Sequence, residues 1–302
     1  MKSLAIVLCY RAAYLLHHAI CLRPGKPLRH SRLVVVGAYR TGGAGKTPFC
    51  AWLADTLAAQ NKQIAILCHE YAYDEAAMLR KKFAATPQVE VFETCNRYRL
   101  AHELDQAKKF DFIICDDGFE DSRLVGAVTF VLLWEKAPTK IRELWPLGNS
   151  RSLAKDHPSD CIELHCTGNT PDLHFVIDKI TNKNGESPKT TATIFCGIGD
   201  PARFCSDIKA QGITIASTTF LKDHDRNFEQ KLRRETGKNQ GHSIIISEKD
   251  AERLENRSTE HSHLPENIYI ARQKMIPGER LIHFVQDVLL NSIASEVRRI
   301  ER

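Results

Sequence analysis

The sequence predicts an α/β fold, with a mostly parallel sheet that carries helices on both faces and a second, smaller α/β domain. Two observations lead to this prediction. Short apolar runs of strand length alternate with helical patterns along most of the 302 residues. A glycine-rich turn follows the first of these runs and opens a helix, which is the order found in a parallel βαβ unit.

That turn carries the strongest chemical signal in the chain. It follows the apolar run 33–36, precedes a helical pattern from Pro48, and reads Arg40-Thr41-Gly42-Gly43-Ala44-Gly45-Lys46-Thr47. Glycines let the backbone curl so that N–H groups point at phosphate oxygens, and the helix N-terminus favours the anion. Lys46 would reach the β and γ phosphates, and the Thr47 hydroxyl would help to hold Mg²⁺. The turn therefore predicts a P-loop NTPase-like domain that binds a nucleoside triphosphate, although Arg40 replaces the usual first glycine. The alternative is an ordinary glycine-rich turn with a helix-capping threonine.

The remaining patterns form two series joined by a transition. Strands are predicted at 33–36, 63–68, 89–92, 110–115 and 128–134, with helices at 48–60, 74–83 and 97–109. A second series has strands at 191–196, 214–220, 243–246 and 268–271, with helices to 211, through 233, opening at 247–251, and at 280–290. The transition, 146–184, has short strand signals at 160–165 and 174–177. We expect an N-terminal amphipathic helix and basic linker over 1–30, a nucleotide-binding domain over 31–150, and a smaller domain over 151–302 that closes over the active site.

The N-terminal segment predicts an amphipathic helix. Residues 4–22 are apolar but are interrupted by Arg11, His17 and His18, which is too polar for a clear transmembrane span. No acidic residue precedes Asp55, whereas eight Lys or Arg residues occur before it. We expect a membrane-associated helix that lies on an anionic surface with its apolar side down; the alternative is a helix that only packs on the domain.

Several acidic residues and one histidine are candidates for catalysis. Asp116 and Asp117 end an apolar strand about 70 residues after the P-loop, where a magnesium ligand is needed opposite Thr47. Asp74 begins a helix and is either a first-turn acid or a carboxylate at the opening of the active site that accepts a proton. His224, between two aspartates, is either a surface residue or a group that orients such a carboxylate.

The ten cysteines do not indicate a metal or disulfide framework. They have no CxxC spacing, and several lie inside strand and helix patterns, at Cys50, Cys68, Cys115 and Cys196. Buried free thiols in a reducing compartment are the better interpretation.

Taken together, these motifs resemble those of the tetraacyldisaccharide 4′-kinase family, the lipid A kinases of Gram-negative bacteria. The segments that carry the resemblance are Gly42-Gly43-Ala44-Gly45-Lys46-Thr47-Pro48, Tyr73-Asp74-Glu75, Asn96-Arg97, Asp116-Asp117-Gly118-Phe119, Gly197-Ile198-Gly199-Asp200-Pro201-Ala202-Arg203-Phe204, Asp223-His224-Asp225 and Ser247-Glu248-Lys249-Asp250-Ala251. Their order covers nearly the whole chain. The departures from the family pattern are Ala38 and Arg40 for Asn and Thr, Glu120 and Asp121 for Gln and His, Ser152 for Glu, and the absence of an extension before Asp74.

The resemblance implies ATP-dependent phosphorylation of the 4′ hydroxyl of a tetraacyldisaccharide 1-phosphate lipid A precursor, giving lipid IVA, at the cytoplasmic face of the bacterial inner membrane. It implies ATP and Mg²⁺ as cofactors, Asp74 as the base paired with His224, and Thr47 with Asp116 or Asp117 as metal ligands. No nucleic acid or protein partner is expected. The alternatives are a divergent ATPase or switch protein without an acceptor base, and a binding protein whose phosphate site Arg40 fills.

Overall fold

The computed structural model describes residues 2–40, 42–222, 225, 227–238, 242–257 and 264–291. Two of the predicted site residues, Thr41 and His224, lie outside this part of the chain. The predicted fold class is confirmed. The chain forms two sheets flanked by helices, and a long apolar helix, α1 (Lys2–Cys21), precedes them.

The first sheet is entirely parallel. In spatial order its strands are β3 (Val89–Thr94), β2 (Ile64–His69), β4 (Phe112–Asp116), β1 (Arg32–Gly37), β5 (Val128–Leu133) and β6 (Ile162–His165). Its helices are α2 (Lys46–Ala58), α3 (Tyr73–Lys82) and α4 (Arg97–Ala107). Alternate residues of β1 face opposite layers, since Val34 and Val36 pack with α2 and α3 whereas Leu33 and Val35 pack with α4. Burial on both faces explains why these strands read as continuous apolar runs.

The second sheet is mixed. In spatial order its strands are β7 (Leu173–Thr181), β11 (Ile268–Pro277), β10 (Ser243–Ser247), β8 (Thr191–Cys196) and β9 (Thr214–Phe220), and only the β7–β11 pair is antiparallel. Its helices are α5 (Pro201–Ala210), α6 (Phe228–Lys238) and α7 (Glu248–Arg257). Helix α8 (Glu279–Phe284), which a π-helical segment, Val285–Asn291, continues, follows β11.

The boundary between the sheets lies later than residue 150. Strand β6 belongs to the first sheet, so the sheets divide between β6 and β7. The chain also returns to the first domain at its C-terminal end, because Leu281, Val285 and Leu289 are buried in the same core as α2. The predicted three-part division therefore remains a prediction, and the two sheets share more structure than a cut at residue 150 implies.

Helix α1 shows the reverse of the usual arrangement of a surface helix. Its polar side lies against the protein, where Arg11 pairs with Asp156 and Tyr10 donates to the carbonyl of Arg151. Its apolar side is exposed at Leu4, Ile6, Leu8, Leu15, Leu16 and Ile20. The stretch Leu4–Cys21 has a mean hydropathy of 1.5 and only 11% of it is buried, so by length and composition it could cross a membrane.

Candidate functional site

A cavity of about 770 Å³ lies between the two sheets, at the carboxyl ends of the strands of the first. Residues 42–47 form one wall, and the end of β4 supplies Asp116 and Asp117. The second domain contributes the turn before α5 and the start of α7, including Gly199 and Lys249. The cavity therefore takes its phosphate-binding motif from one domain and its opposite wall from the other.

The P-loop backbone has the curled shape that the sequence predicts. Gly42, Gly43 and Gly45 have φ angles of 69°, 61° and 84°, all in the left-handed region that favours glycine. At Gly45 a side chain is also excluded by space, because a Cβ atom there would lie 2.2 Å from the ring of Phe175. Helix α2 begins at the next residue, so its free N–H groups face the cavity with the loop.

Lys46 and Thr47, the first residues of α2, are both buried and both face an aspartate at the end of β4. The Thr47 hydroxyl donates to Oδ2 of Asp116 at 2.8 Å, and Nζ of Lys46 lies 3.2 Å from Oδ1 of Asp117. Strands β1 and β4 are direct neighbours, which brings residues about 70 positions apart in sequence into contact. The predicted phosphate and metal residues therefore meet at one point.

Asp116 has the features of a cation ligand. Burial, with the nearby negative charge of Glu75, raises the pKa of its carboxyl to about 7. Its Oδ1 atom is buried and has no hydrogen-bond partner in the described part of the chain. A buried oxygen without a donor, beside a threonine hydroxyl, fits a Mg²⁺ ion, which is bound through one or two protein oxygens with phosphates and water completing the shell. The described residues contain no group of three or more His, Cys, Asp or Glu side chains that could hold a metal.

Asp117 is engaged by cations instead. It has a φ of 57°, and its two carboxylate oxygens accept hydrogen bonds from Nη1 of Arg151 at 3.0 and 3.1 Å. Burial alone would raise the pKa of Asp117, but the charges of Lys46 and Arg151 hold that pKa well below its usual range. The structure thus distinguishes two aspartates that the sequence analysis left equivalent, because Asp116 keeps an open oxygen and Asp117 positions Lys46.

The structure buries Asp74 completely, whereas the sequence analysis placed it at the opening of the active site. Its Oδ2 atom accepts a hydrogen bond from Nε of Arg253 at 2.7 Å. Arg253 also donates to the carbonyl of Gly197 at 2.8 Å and lies 3.2 Å from Oδ1 of Asp250. Glu75, the next residue of α3, lines the cavity in its place.

These contacts belong to an ion-pair contact between helices α3 and α7, which we call the α3–α7 seam. Besides Asp74 and Arg253 it contains a pair between Lys249 and Glu75 at 2.9 Å and a pair between Lys81 and Glu252 at 3.0 Å. Asp74, Glu75 and Lys249 belong to motifs that are visible in the sequence, but no sequence pattern connects them across the two domains. The one sequence feature that points to these ion pairs is the charged pattern Lys249-Asp250 at the start of a predicted helix.

Arg40 lies outside the lining of the cavity. Its guanidinium forms an ion pair with Asp200 at 3.1 Å, and Asp200 also caps α5 by accepting from the backbone N–H of Arg203. Among the described residues, therefore, Arg40 joins the P-loop to the second domain and does not occupy the phosphate site. Next to it, the guanidinium carbon of Arg203 lies 4.2 Å from the ring centre of Trp134, whose Nε1 donates to the carbonyl of Ala44.

All ten cysteines have free thiols, as predicted. The four named from strand and helix patterns are buried, and burial raises their pKa values, for example to about 12 at Cys115. Cys9, Cys21 and Cys95 are exposed, which the sequence patterns did not indicate.

Comparison with known proteins agrees with this geometry. The model of the LpxK family, described as tetraacyldisaccharide-1-P 4′-kinase, matches residues 26–77 and 69–290. The chain is 27% identical over 285 residues to the tetraacyldisaccharide 4′-kinase of Chlamydia caviae, covering 79% of this chain and 77% of that protein. It is 29% identical over 283 residues to the same enzyme of Chlamydia abortus, covering 78% and 76%.

A solved structure shows the same fold. The crystal structure of the "apo" form of LpxK from Aquifex aeolicus in complex with ATP matches with a TM-score of 0.60 and 19% sequence identity, covering 94% of this chain and 98% of that one. The family model, which matches residues 26–77 and 69–290, confirms the family resemblance. The lysine and threonine of the P-loop contact Asp117 and Asp116 at the end of β4, and the second domain lies across the cavity. Because the family model also matches most of the sequence, the chain belongs to the tetraacyldisaccharide-1-P 4′-kinase family.

Proposed function

We propose that this protein is an ATP-dependent kinase that phosphorylates the 4′ hydroxyl of a tetraacyldisaccharide 1-phosphate lipid A precursor, giving lipid IVA. The observation that carries the proposal is the convergence of Lys46 and Thr47 on Asp117 and Asp116 beside a curled glycine loop. Phosphoryl transfer is mainly a matter of positioning and charge stabilisation, and these groups supply both. The named relatives are kinases of this lipid.

Within the P-loop, residues 40–47, the backbone N–H groups from Gly42 onward would hold the triphosphate of ATP together with Lys46. Thr47 and Asp116 would hold Mg²⁺ through a hydroxyl and a carboxylate oxygen. When bound, the ion would neutralise charge on the β and γ phosphates. Asp117 keeps Lys46 in position and Arg151 keeps Asp117 in position, so the cationic side of the site is ordered before the nucleotide arrives.

Asp74 is our candidate for the base that accepts the proton of the sugar hydroxyl. Arg253 donates a hydrogen bond to its Oδ2 atom and so fixes the orientation of the carboxylate. Because Asp74 is fully buried, we propose that the α3–α7 seam separates when the acceptor enters. His224, which lies outside the described residues, remains a proposed partner of this base.

Helix α1 and the basic segment after it are proposed to hold the protein on the cytoplasmic face of the inner membrane. The exposed leucine and isoleucine side chains of α1 would enter the interface, and Arg23, Lys26 and Arg29 would lie near anionic head groups. Replacing Leu16 and Ile20 by serine should weaken cosedimentation with phosphatidylglycerol-containing vesicles. Binding equal to that of the unaltered protein would contradict this placement.

The direct test is to incubate the purified protein with Mg-ATP and detergent-dispersed tetraacyldisaccharide 1-phosphate and to measure phosphate incorporated at the 4′ position. We expect turnover by the unaltered protein and none above background by Lys46→Ala. ATP hydrolysis without phosphorylated lipid would reject the kinase assignment.

A second candidate is an ATPase or switch protein of the same family. The burial of Asp74 in an ion pair favours it, because hydrolysis of ATP needs no base for a sugar hydroxyl. Under this alternative, ATP hydrolysis would be indifferent both to the lipid and to Asp74→Asn. Under the kinase proposal, phosphorylation of the lipid depends on Asp74.

A further inference from the structure

The inward side of α1 has more polar contacts with the protein than anchoring to a membrane requires. An interfacial helix needs an apolar side toward the lipid, and the exposed side of α1 supplies it. The opposite side carries Tyr10 and Tyr14, four residues apart and therefore on one helical face. Each tyrosine hydroxyl is bonded to a segment that continues into the phosphate site.

We propose that Tyr10 and Tyr14 are positioning residues for the phosphate site, so that α1 orders the nucleotide-binding cations as well as anchoring the chain. This inference rests on the proposed function for its catalytic readout, but not for its nucleotide-binding readout.

The first contact runs through Arg151. The hydroxyl of Tyr10 donates to the backbone carbonyl of Arg151 at 2.8 Å, and the backbone N–H of Arg151 donates to the carbonyl of Tyr39 at 2.7 Å. The backbone of Arg151 is thus held between α1 and the end of β1. From this position its guanidinium bonds both oxygens of Asp117, which lies 3.2 Å from Nζ of Lys46. Two residues, Arg151 and Asp117, therefore connect Tyr10 of α1 to the phosphate-binding lysine by direct contacts.

The second contact runs through Glu120. The hydroxyl of Tyr14 donates to Oε2 of Glu120 at 2.8 Å, and the hydroxyl of Ser152 donates to Oε1 at 2.8 Å. Glu120 follows Asp117 by three residues, and Ser152 follows Arg151 directly. The carboxylate of Glu120 therefore joins the Asp117 turn, the Arg151 segment and α1.

Burial makes these contacts consequential. The pKa of Glu120 is raised by burial, in spite of the hydrogen bonds from Ser152 and Tyr14, which lower it. Because only 22% of the Glu120 side chain is exposed, water compensates a carboxylate oxygen that loses a donor there only in part, and the loss is costly. Removing the Tyr14 hydroxyl should therefore shift the 117–120 turn toward a position where Glu120 is better solvated. Such a shift would also displace Asp117 from Arg151 and Lys46.

The test is the double substitution Tyr10→Phe/Tyr14→Phe, which removes two hydroxyl groups and keeps both rings. We expect the dissociation constant for a fluorescent Mg-ATP analogue, measured without lipid, to rise about tenfold, the size of a lost hydrogen bond to a charged group. The kcat for detergent-dispersed acceptor should fall to a similar extent, while cosedimentation with phosphatidylglycerol-containing vesicles stays unchanged.

Tyr98→Phe is the matched control. The Tyr98 hydroxyl also bonds the segment after α1, by accepting from the backbone N–H of Lys26 at 3.1 Å, but it lies on α4 away from the cavity. This variant should keep the nucleotide affinity and kcat of the unaltered protein. Glu120→Gln added to Tyr14→Phe should cost less than the sum of the two single changes if both act through one contact.

Two results would overturn the proposal. One is unchanged nucleotide affinity and unchanged kcat in the double variant. The other is a loss of vesicle binding together with activity while nucleotide affinity is kept, since anchoring alone would then explain α1. Failure of the proposed function is recognised separately, because the unaltered protein would then phosphorylate no lipid whatever the tyrosine variants do.

Discussion

The phosphate site and the α3–α7 seam are built in opposite ways. The phosphate site comes from residues 42–47 and from the end of β4, which pairs with β1, the strand that precedes the glycine-rich turn. The seam joins residues 179 positions apart, Asp74 and Arg253, which belong to different domains. The phosphate site can be recognised from short sequence motifs, whereas the seam forms only because the two sheets face each other.

The two regions also differ in whether their charged groups already have partners. In the phosphate site, Lys46 has a partner in Asp117, but Oδ1 of Asp116 is left without one in the described residues, as expected of a site that awaits a ligand. In the seam, Asp74 is already paired with Arg253 and buried. The site is therefore prepared for a nucleotide, whereas the candidate base is held in a structural contact that must change for catalysis.

The largest effect is expected from the phosphate site. Lys46→Ala should lower kcat by about 10³–10⁵-fold, because no other group on the P-loop helix carries a charge to the phosphates. Thermal denaturation should show that the variant still folds. Lys136→Ala, an exposed lysine in the loop after β5, is the control and should leave lipid phosphorylation unchanged. Turnover by Lys46→Ala close to that of the unaltered protein would contradict the assigned role.

The next largest effect is expected at Asp74, in the α3–α7 seam. Asp74→Asn should lower kcat about 10³-fold while KM for ATP changes little, since a base acts on the acceptor and not on the nucleotide. Steady-state kinetics with varied ATP and varied lipid measure the two constants separately. Glu103→Gln, an exposed acid on α4, serves as the control. A defect confined to nucleotide affinity would remove Asp74 from the chemical step.

The seam also makes a prediction about stability. Arg253→Met should lower the free energy of unfolding by about 3 kcal/mol, because it leaves Asp74 and Asp250 buried with one cation fewer. Arg233→Met removes an arginine whose side chain is 63% exposed and pairs with Glu229 one turn away, and should cost less than about 0.5 kcal/mol. Urea denaturation measures both, and equal effects would mean that the seam contributes no special stability.

The last expected effect depends on pH and concerns a histidine near α1. The ring of His157 stacks on Phe119 at 3.8 Å, and burial lowers its pKa to about 4 from the 6.5 of an exposed histidine. Between pH 6.5 and 4 the unfolded chain therefore binds the proton more tightly than the folded one. Stability should fall as the pH decreases through this window, with a contribution of up to about 1.4 kcal/mol per pH unit.

His157→Gln should flatten that part of the stability profile, which urea denaturation at a series of pH values would show. The exposed His174 on β7 provides the control, since His174→Gln should leave the profile as it is. A profile equally steep with and without His157 would assign the acid sensitivity to other groups.

The fold could be predicted from the sequence to the extent that local pattern decides it. The six described segments from β1 to β5 and α2 came close to their predicted bounds because buried parallel strands and an N-terminal glycine turn have strong local signatures. Two features were not predictable in this way. Strand β6 adds to the first sheet from within the apparent transition, and β7 runs antiparallel to β11. Pairing partners lie far away in the chain, so a short apolar run does not reveal which sheet it will join.

Local sequence patterns were enough to locate the phosphate-binding turn, the strand that leads to the two aspartates, the apolar N-terminal helix and the family. The packing of distant segments was needed to show that Oδ1 of Asp116 has no partner in the described residues, that Asp74 faces Arg253, and that α1 turns its tyrosines toward Arg151 and Glu120. The two groups of features differ because they depend on interactions over different distances along the chain. A turn and a helix depend on residues within a few positions, whereas the partner of a buried charge depends on which distant surface the packing brings to it.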